Sequence, residues 1–192
     1  MSIFLRVPEE MSAVAVFQTP QIVGSAVATA QGADTVLRAA FTKLPRGDHG
    51  FHIHSAGDLR GSGCAGACAH WHKGPHATHG GPPSRTRRNR HTGDLGNVRS
   101  GKSYKYRLRG VRPSELWGRT LVVHADADDY GQGGHEDSAT TGHSGARIGC
   151  AIFGRGAAAG AAAGAASGAC GSAKKTPVSR KSGGTRKRAR KN

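Results

Sequence analysis

The chain has 192 residues, a formal net charge of +16, 30 glycines and only 5% aromatic residues. That length supports one modest hydrophobic core, and so much glycine favours a loop-rich β protein over a helical bundle. No apolar run approaches the roughly 20 residues of a membrane span, and residues 1–10 lack the charged start, apolar stretch and small-residue cleavage site of a secretory signal, so an intracellular, cytoplasmic protein is expected.

In chain order, short strands between glycine-rich turns are predicted at residues 14–17, 22–28, 35–41 and 51–54. Residues 55–97 read as irregular. Residues 103–109 then alternate cleanly and place Tyr104, Tyr106 and Leu108 on one face. A strand at 120–124, a second irregular segment at 125–147 and a last strand at 148–153 follow. No long segment carries a 3.6-residue period. Loops this long are usually functional or disordered. Here both begin or end at residues able to bind metal.

All eleven histidines fall between His49 and His143. His52 and His54 are two apart in a predicted strand, so both rings face one side. His91 and Asp94 put an imidazole and a carboxylate in one turn-like segment. With His70, His79 and His124 they make seven candidate ligands, about what two neighbouring sites sharing one imidazole would need. Neutral imidazole suits copper and zinc, and a single carboxylate among imidazoles commonly completes a zinc site. One such histidine alone would more commonly be an ordinary core or surface residue; the ordered set is what carries the reading.

Four stretches, residues 49–58 (HGFHIHSAGD), 91–97 (HTGDLGN), 118–129 (GRTLVVHADADD) and 142–154 (GHSGARIGCAIFG), resemble the copper/zinc superoxide dismutase family. The resemblance covers roughly residues 12–154. It implies an all-β fold, an eight-stranded Greek-key sandwich or flattened barrel with two long functional loops; the sandwich architecture is one in which this enzyme is a known example. The implied activity is dismutation of superoxide to dioxygen and hydrogen peroxide by copper redox cycling, with structural zinc. The implied copper ligands are His52, His54, His70 and His124. The implied zinc ligands are His70, His79, His91 and Asp94, with His70 bridging. Arg147 matches the arginine that attracts and binds superoxide beside copper. His49 matches a histidine that supports the copper site through backbone hydrogen bonds. Asp128 matches a carboxylate linking a copper and a zinc histidine, here His52 and His79. Thr141 matches a threonine that narrows the channel. Asp126 and Thr140 stand where the family carries steering lysines, while Glu136 and Asp137 keep an acidic pair.

Four cysteines permit three pairings; the resemblance implies a Cys64–Cys150 disulfide and leaves Cys68 as an extra thiol and Cys170 in the tail. His72, His76, His135 and His143 match no ligand and read as exposed loop residues. The chain departs from the family at residues 70–73 (HWHK), where a Phe-Asn-Pro ending is usual, and at residues 85–90 (RTRRNR), which lengthen the zinc loop. Expected partners are superoxide, a second copy in a homodimer and a copper chaperone.

Ten of the 28 basic residues and none of the acidic ones lie from Arg155 onward. The expected organisation is an extension over residues 1–10, with Met11 as an alternative start, a dismutase-like domain over 11–154, an Ala/Gly linker over 155–173 and a basic, disordered tail over 174–192, from Lys174 to Asn192. Such a tail attracts phosphate without reading sequence, so it is expected to add nucleic-acid, nuclear or virion association, and its combination with this enzyme would suit a large DNA virus. The alternative from a different class is a catalytically impaired dismutase-like binding or decoy protein, against which the complete ligand set, Arg147 and Asp128 weigh.

Overall fold

A computed structural model of the chain describes residues 12–156 other than 76, 84 and 86–88. Two antiparallel sheets face each other across one core. The first runs in the order β6-β3-β2-β1-β9 and the second in the order β5-β4-β7-β8. The strands are β1 (Ser12–Gln18), β2 (Val23–Gln31), β3 (Asp34–Lys43), β4 (His49–His54), β5 (Asp94–Val98), β6 (Lys102–Leu108), β7 (Thr120–His124), β8 (Arg147–Ile152) and β9 (Gly154–Arg155).

Period-two patterning explains the first sheet. Ala13, Ala15 and Phe17 point inward from β1 and are buried, while Val16 faces out at 58% exposure. Inward alanines on β1 to β3 leave room for aromatic rings. Phe17 and Phe51 both pack against Phe41 at 5.4 Å between centroids, and Tyr106 lies 6.4 Å from Phe51. Offset contacts of this kind add to the area that burial removes from water.

Strand β4 is different, because every one of its six residues is buried. Phe51 and Ile53 fill the core, so His52 and His54 take the opposite face. The long loop after β4 covers that face and is zipped to it by backbone hydrogen bonds. Trp71 N–H donates to Ile53 O (2.7 Å), Ser55 N–H to Ala69 O (3.0 Å) and Ile53 N–H to Gly93 O (2.9 Å). Arg119 stacks over the Trp71 ring at 4.3 Å and donates to Ser55 O (2.9 Å), so the tryptophan that departs from the family pattern is braced in place.

Three features differ from the expected elements. Residues 94–97, expected to lie in an irregular segment, form β5 together with Val98, because the loop returns to pair with β4 across a register shift between Gly50 and His52. The expected last strand is split: Phe153 turns into the core, so β8 ends at Ile152 and the two-residue β9 crosses to pair with β1. The described strands therefore number nine where eight were expected. Short helical turns also interrupt the loops, 3₁₀ at Ser62–Ala67 and Pro113–Leu116 and a single α-turn, α1, at Ser138–Thr141.

A disulfide joins Cys64, in the first of these turns, to Cys150 on β8, and Cys68 is a free, exposed thiol. The expected extension, the linker beyond residue 156 and the basic tail, together with Cys170, His76 and residues 86–88 of the 85–90 insertion, lie outside the described residues. Among the described residues no helix is long and apolar enough to cross a membrane.

The disulfide closes a loop of 86 residues. Replacing both Cys64 and Cys150 with serine is expected to lower the free energy of unfolding by about 2–5 kcal/mol, read from urea titrations of the variant and the parent; an unchanged midpoint would show that the link contributes nothing to stability.

Candidate metal centre

The outer face of β4, the end of β7, the long loop after β4 and the first residue of β5 bring seven residues into two overlapping groups. His52, His54, His70 and His124 present ring nitrogens within 4.8 Å of one another. So do His70, His79, His91 and Asp94, with a carboxylate oxygen as the fourth atom. His70 belongs to both groups, and its backbone makes an isolated β-bridge to His54.

Acceptor-only partners fix which nitrogen of each ring is free. His52 Nε2–H donates to Asp128 Oδ2 (2.9 Å), leaving Nδ1 buried without a hydrogen-bond partner among the described residues. His54 Nδ1–H donates to Cys68 O (2.7 Å) and His124 Nδ1–H to Gly145 O (3.1 Å). Their remaining Nε2 atoms face each other at 3.4 Å. In the second group, Asp94 Oδ1 lies 3.0 Å from His70 Nδ1 and 3.2 Å from Nδ1 of both His79 and His91. His79 Nε2–H donates to Asp128 Oδ1 (2.7 Å). Three free imidazole nitrogens around an orphaned fourth, beside three more around one carboxylate, are donor sets that fit copper or zinc in the first position and zinc in the second.

Asp128 therefore touches one ring of each group, and its own placement is fixed in turn. Asn97 grips its backbone twice, accepting from Asp128 N–H (2.7 Å) and donating to Asp128 O (2.9 Å). Gly142 packs against it at a φ of +70°, where an added Cβ would come within 2.2 Å of Asp128 Oδ1 and 2.4 Å of His79 Nε2. His49 lies with its ring nitrogens 2.9 Å from His124 O and 3.2 Å from Pro45 O, tying β4 to the end of β7.

Arg147 stands opposite His124 at a register shift between β7 and β8. Its guanidinium donates to Cys64 O (2.8 Å) and Cys68 O (2.6 Å). Cys68 O thus holds both Arg147 and His54, on a residue whose φ is +64°. Thr141 is exposed and donates to Asp137 Oδ2 (2.9 Å), whose other oxygen takes a hydrogen bond from His143 (2.7 Å). His143 stacks on His135 at 3.6 Å, away from both groups, and His72 lies 6.2 Å from the His91 ring. Sequence reasoning missed Asn97 and Arg90. Arg90 is half-buried and donates to Gly81 O (2.9 Å) and to Asp94 O, closing the loop beside the His70, His79, His91 and Asp94 group. Its place in a basic run gave no sign of this.

Burial dominates the ionisation of the first group. It holds His52 well below the usual imidazole range, His54 at about 2 and His124 at about 4. The rings are therefore neutral and ready to bind metal at ordinary pH. Burial also opposes charge on His79, but hydrogen bonds to Asp128 and Asp94 outweigh it and raise the ring to about 9. Burial works against Asp94 ionisation, yet hydrogen bonds from His70, His79 and His91 keep its carboxyl far below the ordinary range.

These shifts set the pH dependence of chelator-treated protein. Groups depressed below 6.5, His54 and His124, contribute stability above pH 6.5 that is lost as pH falls toward 4 and below. His79, raised to about 9, contributes stability fully present below pH 6.5 and lost as pH rises through 9. Urea unfolding of the metal-free protein is expected to show a maximum near pH 6.5, with a loss on the acid side of about 1.4 kcal/mol per pH unit per proton taken up on unfolding. A monotonic profile from pH 4.5 to 9.5 would contradict this ionisation pattern.

The copper/zinc superoxide dismutase (SODC) family model matches residues 22–153. A Superoxide dismutase [Cu-Zn] of Paramecium bursaria Chlorella virus 1 is 41% identical over 161 residues, covering 78% of this chain and 81% of the relative. A crystal structure of the clock protein EA4 superposes with a TM-score of 0.64 at 35% identity, covering 80% of this chain and 99% of that one. With a family match over more than half its length and metal-binding groups fitted to copper and zinc, the chain belongs to the copper/zinc superoxide dismutase family and is an oxidoreductase that acts on superoxide.

Proposed function

We propose that His52, His54, His70 and His124 hold copper, that His70, His79, His91 and Asp94 hold zinc, and that His70 bridges the two. The observation that carries this reading is that His70 alone belongs to both four-residue groups, with Nδ1 turned to Asp94 and its ring 4.1 Å from His52. Copper supplies the one-electron redox chemistry that turns two superoxide ions and two protons into dioxygen and hydrogen peroxide, and zinc supplies rigidity without redox chemistry.

The chain's residues do the rest. His70 Nε2, on the copper side, takes up a proton in one half-reaction and returns it in the next. Asp94 holds the other face of that ring, so proton movement does not displace the loop. Arg147 offers a cation and unused N–H donors to the incoming anion, and its bonds to Cys64 O and Cys68 O stop it from swinging into solvent. The Cys64–Cys150 link keeps those carbonyls in place. Thr141 narrows the approach, and its hydroxyl is directed by Asp137. With Asp126 and Thr140 at the rim in place of lysines, attraction of superoxide depends more on Arg147 and on the positive charge of the whole protein.

The complete donor set weighs against a catalytically impaired binding protein. Association of two copies is supported by exposed Val16 and Ile152, on strands joined through β9. The basic run at 174–192 supports contact with nucleic acid.

Dismutase activity measured with copper and zinc counted on the same sample tests the reading. A single copper and a single zinc per chain with activity is the expected result, and full loading without activity would overturn it. Arg147→Ile is expected to lower the rate constant by about 10- to 100-fold and flatten its salt dependence while metal content stays unchanged. Asp128→Asn is expected to weaken metal retention by about 10- to 100-fold against a chelator. Retention equal to the parent would remove Asp128 from the role given to it.

A further inference from the structure

Three strands of the first sheet bring two cations face to face on its solvent side. Arg38 on β3 is the direct cross-strand neighbour of Lys105 on β6. Like charges in that arrangement repel. Neither side chain has an ion pair or a hydrogen bond among the described residues. The nearby Arg107 does have one, to Asp34 at 2.6 Å, so that carboxylate is already taken. The row continues onto β2 at Val27, the partner of Arg38. Together with Ser25 and Ser103 these residues line a shallow groove of about 470 Å³.

We propose that this face is a docking surface for the phosphate backbone of nucleic acid, formed by the folded domain and separate from the basic tail. The charge argument has two parts. A like-charge pair side by side on an exposed strand face repels, and a partner that brings negative charge relieves that repulsion. Lys105 lies on an edge strand with Arg38 directly beside it, while Arg107, two residues along the same face, is already balanced by Asp34, so the pair itself is the uncompensated charge. A polymer that carries one charge per roughly 1.7 Å of duplex axis can set a separate phosphate against each of two adjacent cations, which a single small anion does not. The remaining lining makes the contact indifferent to sequence. Ser25 and Ser103 offer hydroxyls to phosphate, and the Tyr104 ring packs against the core, stacked on Tyr106 at 6.3 Å between centroids, rather than standing out beside Lys105 for bases to stack on. Val27, at 39% exposure, is too small an apolar group to insert into a lipid surface. The metal-binding histidines lie on the other sheet and its loops, so nucleic acid can occupy this face while superoxide reaches Arg147.

The test uses the full-length, metal-loaded protein and fluorescence anisotropy with a labelled duplex of about 25 base pairs, between about 50 and 200 mM salt. Replacing Arg38 and Lys105 together with glutamine is expected to weaken binding for every duplex sequence, and to make the slope of log K against log salt shallower by about two. Dismutase activity should stay unchanged, and the melting temperature should hold or rise as the repulsion disappears. The same pair of substitutions is then made in a background where Arg186, Lys187, Arg188, Arg190 and Lys191 are glutamine; a further loss there separates the face from the tail. An unchanged salt slope, absence of duplex binding by the parent protein, or complete loss of binding on neutralising the tail alone would overturn the proposal. So would a loss confined to vesicles containing phosphatidylserine, which would assign the face to an anionic membrane.

Discussion

A single carboxylate organises the centre. Asp128 takes one hydrogen bond from His52 and one from His79, and so connects the two groups of candidate ligands through their far nitrogens. A carboxylate accepts only, so both rings must carry their proton on the Asp128 side and must turn their lone pairs toward the metal positions. Orientation and tautomer are thus decided by a residue that need touch no metal. The arrangement in turn requires a fixed Asp128 backbone, and Asn97 on β5 supplies it. The constraint passes from a strand amide to a carboxylate to two imidazoles on different elements.

The second constraint is the carbonyl of Cys68. It accepts from His54 and from Arg147 at once. One ring of the copper-side group and the proposed substrate-binding cation therefore share an anchor, and that anchor lies four residues from the disulfide. Removing the disulfide would loosen more than the loop's tether to β8. It would free the segment that holds Arg147 in register with His124. Stability and anion recognition are coupled here by two hydrogen bonds to one oxygen.

Much of this was legible because metal ligation leaves a strong mark on a sequence. His52 and His54 at a spacing of two share a face in a strand, and the ordered motifs carried candidates His91, Asp94 and His124, with His70 and His79 in the segment between them. The alternation at 103–109 likewise translated directly into β6. What could not be read came from tertiary pairing. Residues 94–98 have no strand pattern of their own, and become β5 only because the covering loop delivers them to the edge of β4. Phe153 reads as the end of a strand, yet its burial is what forces the chain from one sheet to the other. Arg90 sits in a run of exposed-looking cations, and its role depends on backbone carbonyls that the fold gathers around it. Asn97 gave no signal beyond membership of a motif.

The charges follow the same division of labour between sheets. On the four-stranded side, burial holds His52, His54 and His124 neutral, the charge favoured on His79 faces Asp94 and Asp128, and both carboxylates are saturated by hydrogen bonds. Little uncompensated charge is left inside apart from what a metal would bring. On the five-stranded side, Arg38 and Lys105 lie next to each other in water without an ion pair among the described residues, where screening makes the repulsion tolerable but does not abolish it. A domain that neutralises charge so thoroughly at one face and leaves it unbalanced at the other has kept the cost where a solvent-borne anion can relieve it. The face that would bear a polyanion and the channel that would admit a small one are therefore independent, and the first can be occupied without closing the second.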